Sequence, residues 1–434
     1  MTLLAGLGYL TVVVFMVLIM TKKLSPFTSL IIVPIIFAII GGFTNKLPAF
    51  IQAGLKGVAT TSFMLFFAIL FFGIMLTVGL FDPLVNKVIK LVKGDPLKIL
   101  IGTAVLAAIV SLDGDGATTD IIVCSALVPI YNKLKIKKMY LAALVVLMNT
   151  ILNLIPWGGP TARVAATTNI DGGVLMKPFL PAMVIGIIYI LVVAYWLGLK
   201  ERKRLGITTL DGASHGEMAA TLTEEELALK RPKLVFVNFI ITILVLVALL
   251  SQKVPANVAF EIGTALALIV NFRTLKDQRS AISFQADSII HTVGMILAAG
   301  VFMGILTESK MAEAMGNHIV SLVPASMGSH FLGITSLLSI PGTFFLSNDA
   351  YYFGVLPVLL KAGAAYGFSN LQIGIAALTG QAVHLLSPLV ASIYLLLNLT
   401  DQDLGEWQKF CFPITMGLFV IYVVTLAIGG VLPL

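Results

Sequence analysis

Apolar residues fall along this chain in long blocks, with neither the strict alternation of a half-buried strand nor a polar stripe at helical spacing. The first block fills residues 3–20 and carries no charge; Lys22 and Lys23 follow it directly. Others lie at 27–44, 56–80, 179–199, 234–250, 255–271, 286–306 and 410–432, each close to the length a helix needs to cross a hydrocarbon core. Two more, 139–170 and 371–399, are interrupted in the middle. Helices apolar on every face belong in lipid or in a protein interior. The pattern predicts an all-α polytopic membrane protein.

Two apolar segments resist reading as simple crossings. Residues 97–131 are broken by Ser111-Leu-Asp-Gly-Asp-Gly-Ala-Thr-Thr-Asp120, and residues 321–360 by Ile340-Pro-Gly-Thr-Phe-Phe-Leu-Ser-Asn-Asp349, which leaves each half too short to span. Polar, Gly-rich backbone is tolerated at membrane depth only where protein or a cavity surrounds it. Both segments are therefore predicted to be re-entrant hairpins that enter and leave on one side. Lys22, Lys23, the basic residues of 87–98, 133–138, 200–233 and 273–279, and Lys409 then all fall in inside loops, as the positive-inside tendency requires. A full crossing at 97–131 would move Lys133, Lys135, Lys137 and Lys138 outside. With no basic residues ahead of it, the first block reads as a retained span and not a signal peptide, and both termini are expected outside.

The chain also repeats itself. At an offset of 228 residues Asp113-Gly114 falls on Pro341-Gly342 and Pro129 on Pro357; with four residues more, 149–156 falls on 381–388. Residues 1–199 and 234–434 then form two halves, each with five spans, one re-entrant hairpin and one broken helix, joined by a cytoplasmic linker at 200–233. Five is odd, so the second half must insert upside down. Inverted repeats with broken helices are the architecture of secondary transporters, whose substrate sits near the midplane. Segments 81–93 and 308–322 read as amphipathic interfacial helices, and Thr223-Glu-Glu-Glu226 as the start of a short surface helix in the linker.

Composition narrows the function. Of the 434 residues, 58% are hydrophobic and 11% charged, with a mean hydropathy of +1.02, and the longest polar stretch is the linker, so no separate catalytic domain fits. The net charge of +7 lies in short loops and does not point to nucleic acid. Cys124 and Cys411 sit in apolar surroundings without metal-type spacing, as small core residues do.

Asp113, Asp115, Asp120 and Asp349 lie in or beside the hairpin breaks, where a carboxylate needs a cation or hydrogen-bond donors to meet it. They are candidate cation or proton ligands, with Gly114, Gly116 and Thr118 completing an oxygen-rich loop; capping of short helices is the plainer alternative. Pro156-Trp-Gly-Gly-Pro-Thr-Ala-Arg163 breaks a span, exposing a half-helix N-terminus at Gly158 and Gly159 and supplying Thr161 and Arg163, which suit an anion. Arg163 in a shallower position would snorkel to the interface. Asn149 and Asn153 share the face that leads to this break, or else bond between helices. Ser347, Asn348, Gln381, His384 and Ser387 would line the opposite wall. His384 titrates closest to neutrality, so it joins Asp113, Asp115 and Asp120 as a candidate proton carrier, with a packed structural histidine as the alternative.

Four carboxylates against one guanidinium would repel a bare di- or tricarboxylate. Citrate chelated to one divalent ion carries a single negative charge, offering metal to the Asp residues and free carboxylate to Arg163. No resident cofactor is expected, since the metal travels with the cargo.

Ser111-Leu-Asp-Gly-Asp-Gly-Ala-Thr-Thr119, Pro156-Trp-Gly-Gly-Pro-Thr-Ala-Arg163 and Phe15-Met-Val-Leu-Ile-Met-Thr-Lys-Lys23 are similar to the citrate-metal/proton symporter family of bacteria, within the ion transporter superfamily. That resemblance covers essentially the whole chain. It implies proton-coupled uptake of citrate complexed to magnesium, calcium or a related ion across the cytoplasmic membrane, a homodimer, and an elevator-like transport domain. The superfamily site maps to Asp113, Gly114, Asp115, Gly116, Asn149, Thr161, Ser347 and Asn348. Sodium-coupled relatives carry Ser-Asn-Thr at both tips; here one tip is Asp-Gly-Asp-Gly and the other Ser-Asn-Asp, and Asp120 stands where an apolar or aromatic residue is expected. A sodium-coupled di- or tricarboxylate transporter is the nearest alternative. An intramembrane aspartyl protease using Asp115 and Asp349 is a remote one, without the Gly-x-Gly-Asp motif. The chain is read as a transporter and not an enzyme.

Overall fold

A computed structural model describes residues 2–83, 87, 94–114, 116–207, 229–251, 253–322 and 328–432. Every regular element among them is helical, and six stretches are long and apolar enough to cross a membrane. Most of the expected helix at 81–93, the one after Thr223, and Asp115 itself lie outside the described residues.

The helices begin where the chain supplies caps. Thr2 accepts from Ala5 N to start α1 (Leu3–Met20), Ser25 from Thr28 N to start α2 (Pro26–Ile40), and Asp95 from Leu97 N to start α4 (Pro96–Val110). Pro26 and Pro96 occupy first-turn positions, where the missing N–H costs nothing. Between them α3 (Leu47–Thr77) starts nearer the chain's N-terminus than its apolar block suggested. The first hairpin is α4 and α5 (Gly116–Lys133); a broken helix follows as α6 (Lys138–Leu152) and α7 (Gly159–Thr168), then α8 (Gly172–Met176) and α9 (Leu180–Leu205). After the linker come α10 (Val235–Ser251), α11 (Ala256–Asn271), α12 (Leu275–Phe284), α13 (Ala286–Glu308) and α14 (Met311–Leu322). The second hairpin is α15 (Phe331–Phe345) and, through a π-helical turn at Ala350–Val355, α16 (Leu356–Ala365). A second broken helix comprises α17 (Asn370–Leu378), α18 (Gln381–His384) and α19 (Ala391–Thr400), and α20 (Leu404–Ile428) ends the chain.

Three expectations are corrected. Pro341 and Gly342 lie inside α15, and the second tip falls at 346–349, so the hairpin tips correspond at an offset near 235 and not 228. Gly342 leaves room there for the ring of Tyr351. The loop expected at 273–279 is largely the helix α12, capped by Thr274. The first hairpin arm, with its 3-10 extension, reaches 18 residues as Pro96–Asp113, so that arm is not too short to span.

What distinguishes the hairpins is where they begin and end. Asp95, at the start of the first, is bound by Arg202, and Lys135, at its end, accepts from Arg204 Nη2 at 2.8 Å; both arginines close α9. Phe331 and Tyr366, the two ends of the second hairpin, lie ring against ring at 5.4 Å. The two ends of each hairpin therefore lie close together. Other loops expected on one side also meet: Arg231 N donates to Val78 O, and Arg231 Nε to Asn271 O.

Packing explains the rest of the scaffold. The outer helix α10 leaves Phe236, Phe239, Leu244 and Val247 exposed, as a lipid-facing helix does. By contrast α3 and α13 cross backbone to backbone: a Cβ on Gly54 would overlap the Gly300 carbonyl oxygen, and one on Gly304 that of Phe50. Lipid provides no hydrophobic drive between helices, so close small-residue contact carries such crossings. Gly54→Val or Gly304→Val is expected to cost on the order of 3 kcal/mol by overpacking, read as loss of a monodisperse detergent-solubilised protein or a lowered melting temperature.

The Arg202 guanidinium beside Asp95 holds its carboxyl below the usual carboxylate range. A lowered folded-state value contributes stability that is complete above the ordinary range and is lost as pH falls through the folded value. Asp95→Asn is expected to lower the melting temperature at neutral pH and to remove part of the acid-side decline; equal slopes in both proteins would refute this.

Candidate functional site

The sequence Pro156-Trp-Gly-Gly-Pro160 stops α6 and restarts the chain as α7. Gly158 is the N-cap of α7, and a Cβ there would overlap Asn153 O, so this turn closes only around glycine. Opening a helix in apolar surroundings strips hydrogen bonds from its last carbonyls and the next first amides. Side chains of the same segment replace them. Thr161 Oγ1 donates to Leu154 O at 3.0 Å, and Gly159 N donates to Asn153 Oδ1 at 3.2 Å. Thr161 and Asn153, both expected as substrate ligands, are thus already engaged in holding the break open.

The first tip rests on this break. Leu112 O accepts from Trp157 Nε1 at 2.9 Å, and Gly114, at φ +81°, lies so near Trp157 that a Cβ would come within 3.2 Å of its ring. On the other flank, a Cβ on Gly116 would lie 3.3 Å from Ser392 Oγ and 3.6 Å from Asn149 Nδ2. Asn149 therefore faces the first tip. Ser392, absent from the sequence reading, joins it from the second broken helix.

The second tip is built differently. Ser347 Oγ accepts from Ala350 N at 3.1 Å, and Asn348 Oδ1 accepts from Gln381 Nε2 at 2.9 Å; the same amide donates to Tyr352 Oη at 2.7 Å. Tyr352 sits in the π-helical turn, an irregularity that recurs at functional sites. His384 Nδ1 lies 2.7 Å from Thr343 O, and Ser387 Oγ donates to Phe344 O at 2.6 Å, so both serve carbonyls at the end of α15. His384, Gln381 and Ser387 are buried.

Arg163 connects the two assemblies. Its Nε donates to Asp349 Oδ1 at 2.7 Å and its Nη1 to Gly159 O at 3.0 Å. One turn on, Thr167 Oγ1 donates to Tyr352 O at 3.0 Å. The side chains of Arg163 and Asp349 retain 18% and 12% of their exposure, so the pair is not sealed in the core. Both tips thus meet both broken helices, over one path of contacts from Leu112 through Trp157, Gly158, Gly159 and Arg163 to Asp349.

The expected metal ligands converge less. Asp113 and Asp120 are buried, Thr118 lies in the first turn of α5, and Asp349 is turned to Arg163. Among the described residues no three His, Cys, Asp or Glu side chains form a group that would hold a metal ion. Tyr352, Thr167 and Trp157 also escaped the sequence reading. Trp157 alone carried a signal, as an aromatic inside a Pro-Gly break.

Two hairpins meeting two interrupted helices inside a bundle of apolar helices is the construction of a secondary transporter. Solved transporters share the fold. The Alcanivorax borkumensis YdaH transporter superposes with a TM-score of 0.54 at 14% identity, covering 90% of this chain and 88% of that one. MtrF of Neisseria gonorrhoeae, described as an antimetabolite efflux pump, gives 0.59 at 13%, covering 90% and 85%. Residues 4–380 match the citrate transporter family, and the chain belongs to that family. It is 45% identical over 430 residues to a citrate transporter of Bacillus subtilis (strain 168), covering 99% of this chain and all of that one. It is 43% identical over 431 residues to a Mg(2+)/citrate complex secondary transporter of the same organism, covering 99% of each. The chain is a membrane transporter and not a protease.

Gly158→Ala is expected to reduce transport by roughly 5- to 150-fold, because about 1–3 kcal/mol of displaced backbone falls on the turn that places Arg163. Transport at the unmodified rate would show that the break tolerates a side chain.

Proposed function

We propose that this protein is a proton-coupled symporter of citrate complexed with a divalent metal ion. The observation that carries this reading is Arg163, a guanidinium held at a helix break between two hairpin tips, one rich in carboxylates. A free carboxylate of the cargo binds Arg163, assisted by Asn149, Asn153, Thr161 and the Gly158–Gly159 turn, while Asp113, Asp115, Gly114, Gly116 and Thr118 face the metal. Ser347, Asn348, Gln381, His384 and Ser387 shape the opposite wall. Asp113, Asp115, Asp120 and His384 are the groups proposed to take up the coupled proton. The names of the relatives, a citrate transporter and a Mg(2+)/citrate complex secondary transporter, support the cargo.

Residues 1–199 and 234–434 are proposed as inverted repeats joined by a cytoplasmic linker at 200–233, with re-entrant hairpins at 97–131 and 321–360 and broken helices at 139–170 and 371–399. The matching succession of elements supports this, as does the closeness of the two ends of each hairpin. Both termini then lie outside a bacterial cytoplasmic membrane. An elevator motion within a homodimer would carry the site across.

Purified protein in liposomes should accumulate labelled citrate only when a chelatable divalent metal is present, and faster under an inward proton gradient. Uptake unchanged by removing all metal would overturn the cargo. Response to a sodium gradient with none to protons would favour the sodium-coupled alternative. Asp115→Asn and Arg163→Ala should each abolish uptake, by about 100-fold or more, while leaving a folded protein. Normal uptake by either variant would remove that residue from the site.

A further inference from the structure

The guanidinium assigned to the substrate is answered within the protein by a carboxylate from the other hairpin. Asp349 and Arg163 stand 186 residues apart in sequence and 2.7 Å apart in space. The tip is built to keep Asp349 there. Ser347 caps the turn that follows it, Asn348 is fixed by Gln381, and Thr167 bonds the carbonyl of Tyr352, which ties α7 to the same turn.

We infer that Asp349 is the internal counter-ion of Arg163 in the empty carrier, displaced when a cargo carboxylate arrives. This rests on the reading that Arg163 binds cargo. A symporter moves its site across a low-dielectric barrier twice per cycle, once loaded and once empty. An unpaired guanidinium would oppose the empty step. The loaded step needs no internal partner, because the cargo supplies the charge. Asp349 therefore serves the return of the empty site and competes with cargo for Arg163.

Competition sets the sign of the effect. Asp349→Asn should bind magnesium–citrate about tenfold more tightly by calorimetry on the detergent-solubilised protein, since the competent state no longer has to be freed. In liposomes the same variant should lose at least tenfold in net uptake, yet keep exchange of labelled for unlabelled magnesium–citrate within about threefold, because exchange never uses the empty return. Asp349→Glu should recover part of the net uptake. Weaker binding by Asp349→Asn would make Asp349 a ligand of the cargo and overturn the inference. So would a parallel loss of exchange and net uptake, or no change in either.

One arm needs no cargo. In ligand-free melting curves, the Arg163→Ala, Asp349→Asn double variant should lose less than the sum of its single variants. Additive losses would refute the pair in the unloaded protein. Wild-type protein that neither binds nor moves magnesium–citrate, with a coupled pair in melting, would instead refute the proposed function and leave the counter-ion role standing.

Discussion

Everything in the centre of this molecule follows from the cost of opening a helix where water cannot repair it. Among the described residues, the chain stops being helical within its apolar interior at the two hairpin tips and inside the two broken helices. Each leaves carbonyls and amides that lipid cannot satisfy. Thr161 answers Leu154 O, Trp157 answers Leu112 O, His384 answers Thr343 O and Ser387 answers Phe344 O. In three of these four bonds the donor belongs to a different element from the carbonyl it satisfies. The repair of one irregularity is thus what brings it against the next, and tips and breaks gather at one place because they cannot be satisfied apart.

Arg163 is a product of that arrangement. Pro160 and Gly158 force α7 to restart just before it, and its Nη1 returns to the carbonyl of Gly159, the first residue of the new helix. A long cationic side chain is held close to its own helix start and can reach little beyond the facing tip. Asp349 occupies that reach. The pairing also changes the charge arithmetic: of the acidic residues at the tips and breaks, one is already spent on the guanidinium.

Much of this is legible in the sequence, for a reason. Asp, Gly and Pro inside an apolar block have few explanations, so both breaks, both hairpins and the candidate residues around them stand out against a uniform background. The basic loops predict which ends share a side; in the structure Arg204 meets Lys135 O and Arg231 meets Asn271 O. What stays hidden is pairing over long separations. Nothing near Asp349 announces Arg163, 186 residues away, and nothing near Gly54 announces Gly300 and Gly304. The register of the repeat misled as well: Pro341-Gly342 looks like a break, yet proline near a helix end can be absorbed when neighbouring packing compensates. Ser392 was invisible because a lone serine in an apolar helix usually bonds its own backbone.

The two tips are chemically unlike, and that difference bears on what the site selects. The first is short, glycine-bearing and acidic, with Gly114 in the left-handed region and Gly116 opening onto Asn149 and Ser392. The second is a braced turn in which Ser347, Asn348, Tyr352 and Gln381 hold one another. A bare carboxylate anion would be served by two similar donor-rich tips, each presenting amides and hydroxyls. A cargo with a cationic end and an anionic end needs walls of opposite character: one that tolerates adjustment of oxygen ligands around a hard ion, and one that fixes a guanidinium at a set distance. The asymmetry between the two tips is what a metal-chelated carboxylate would require of its site.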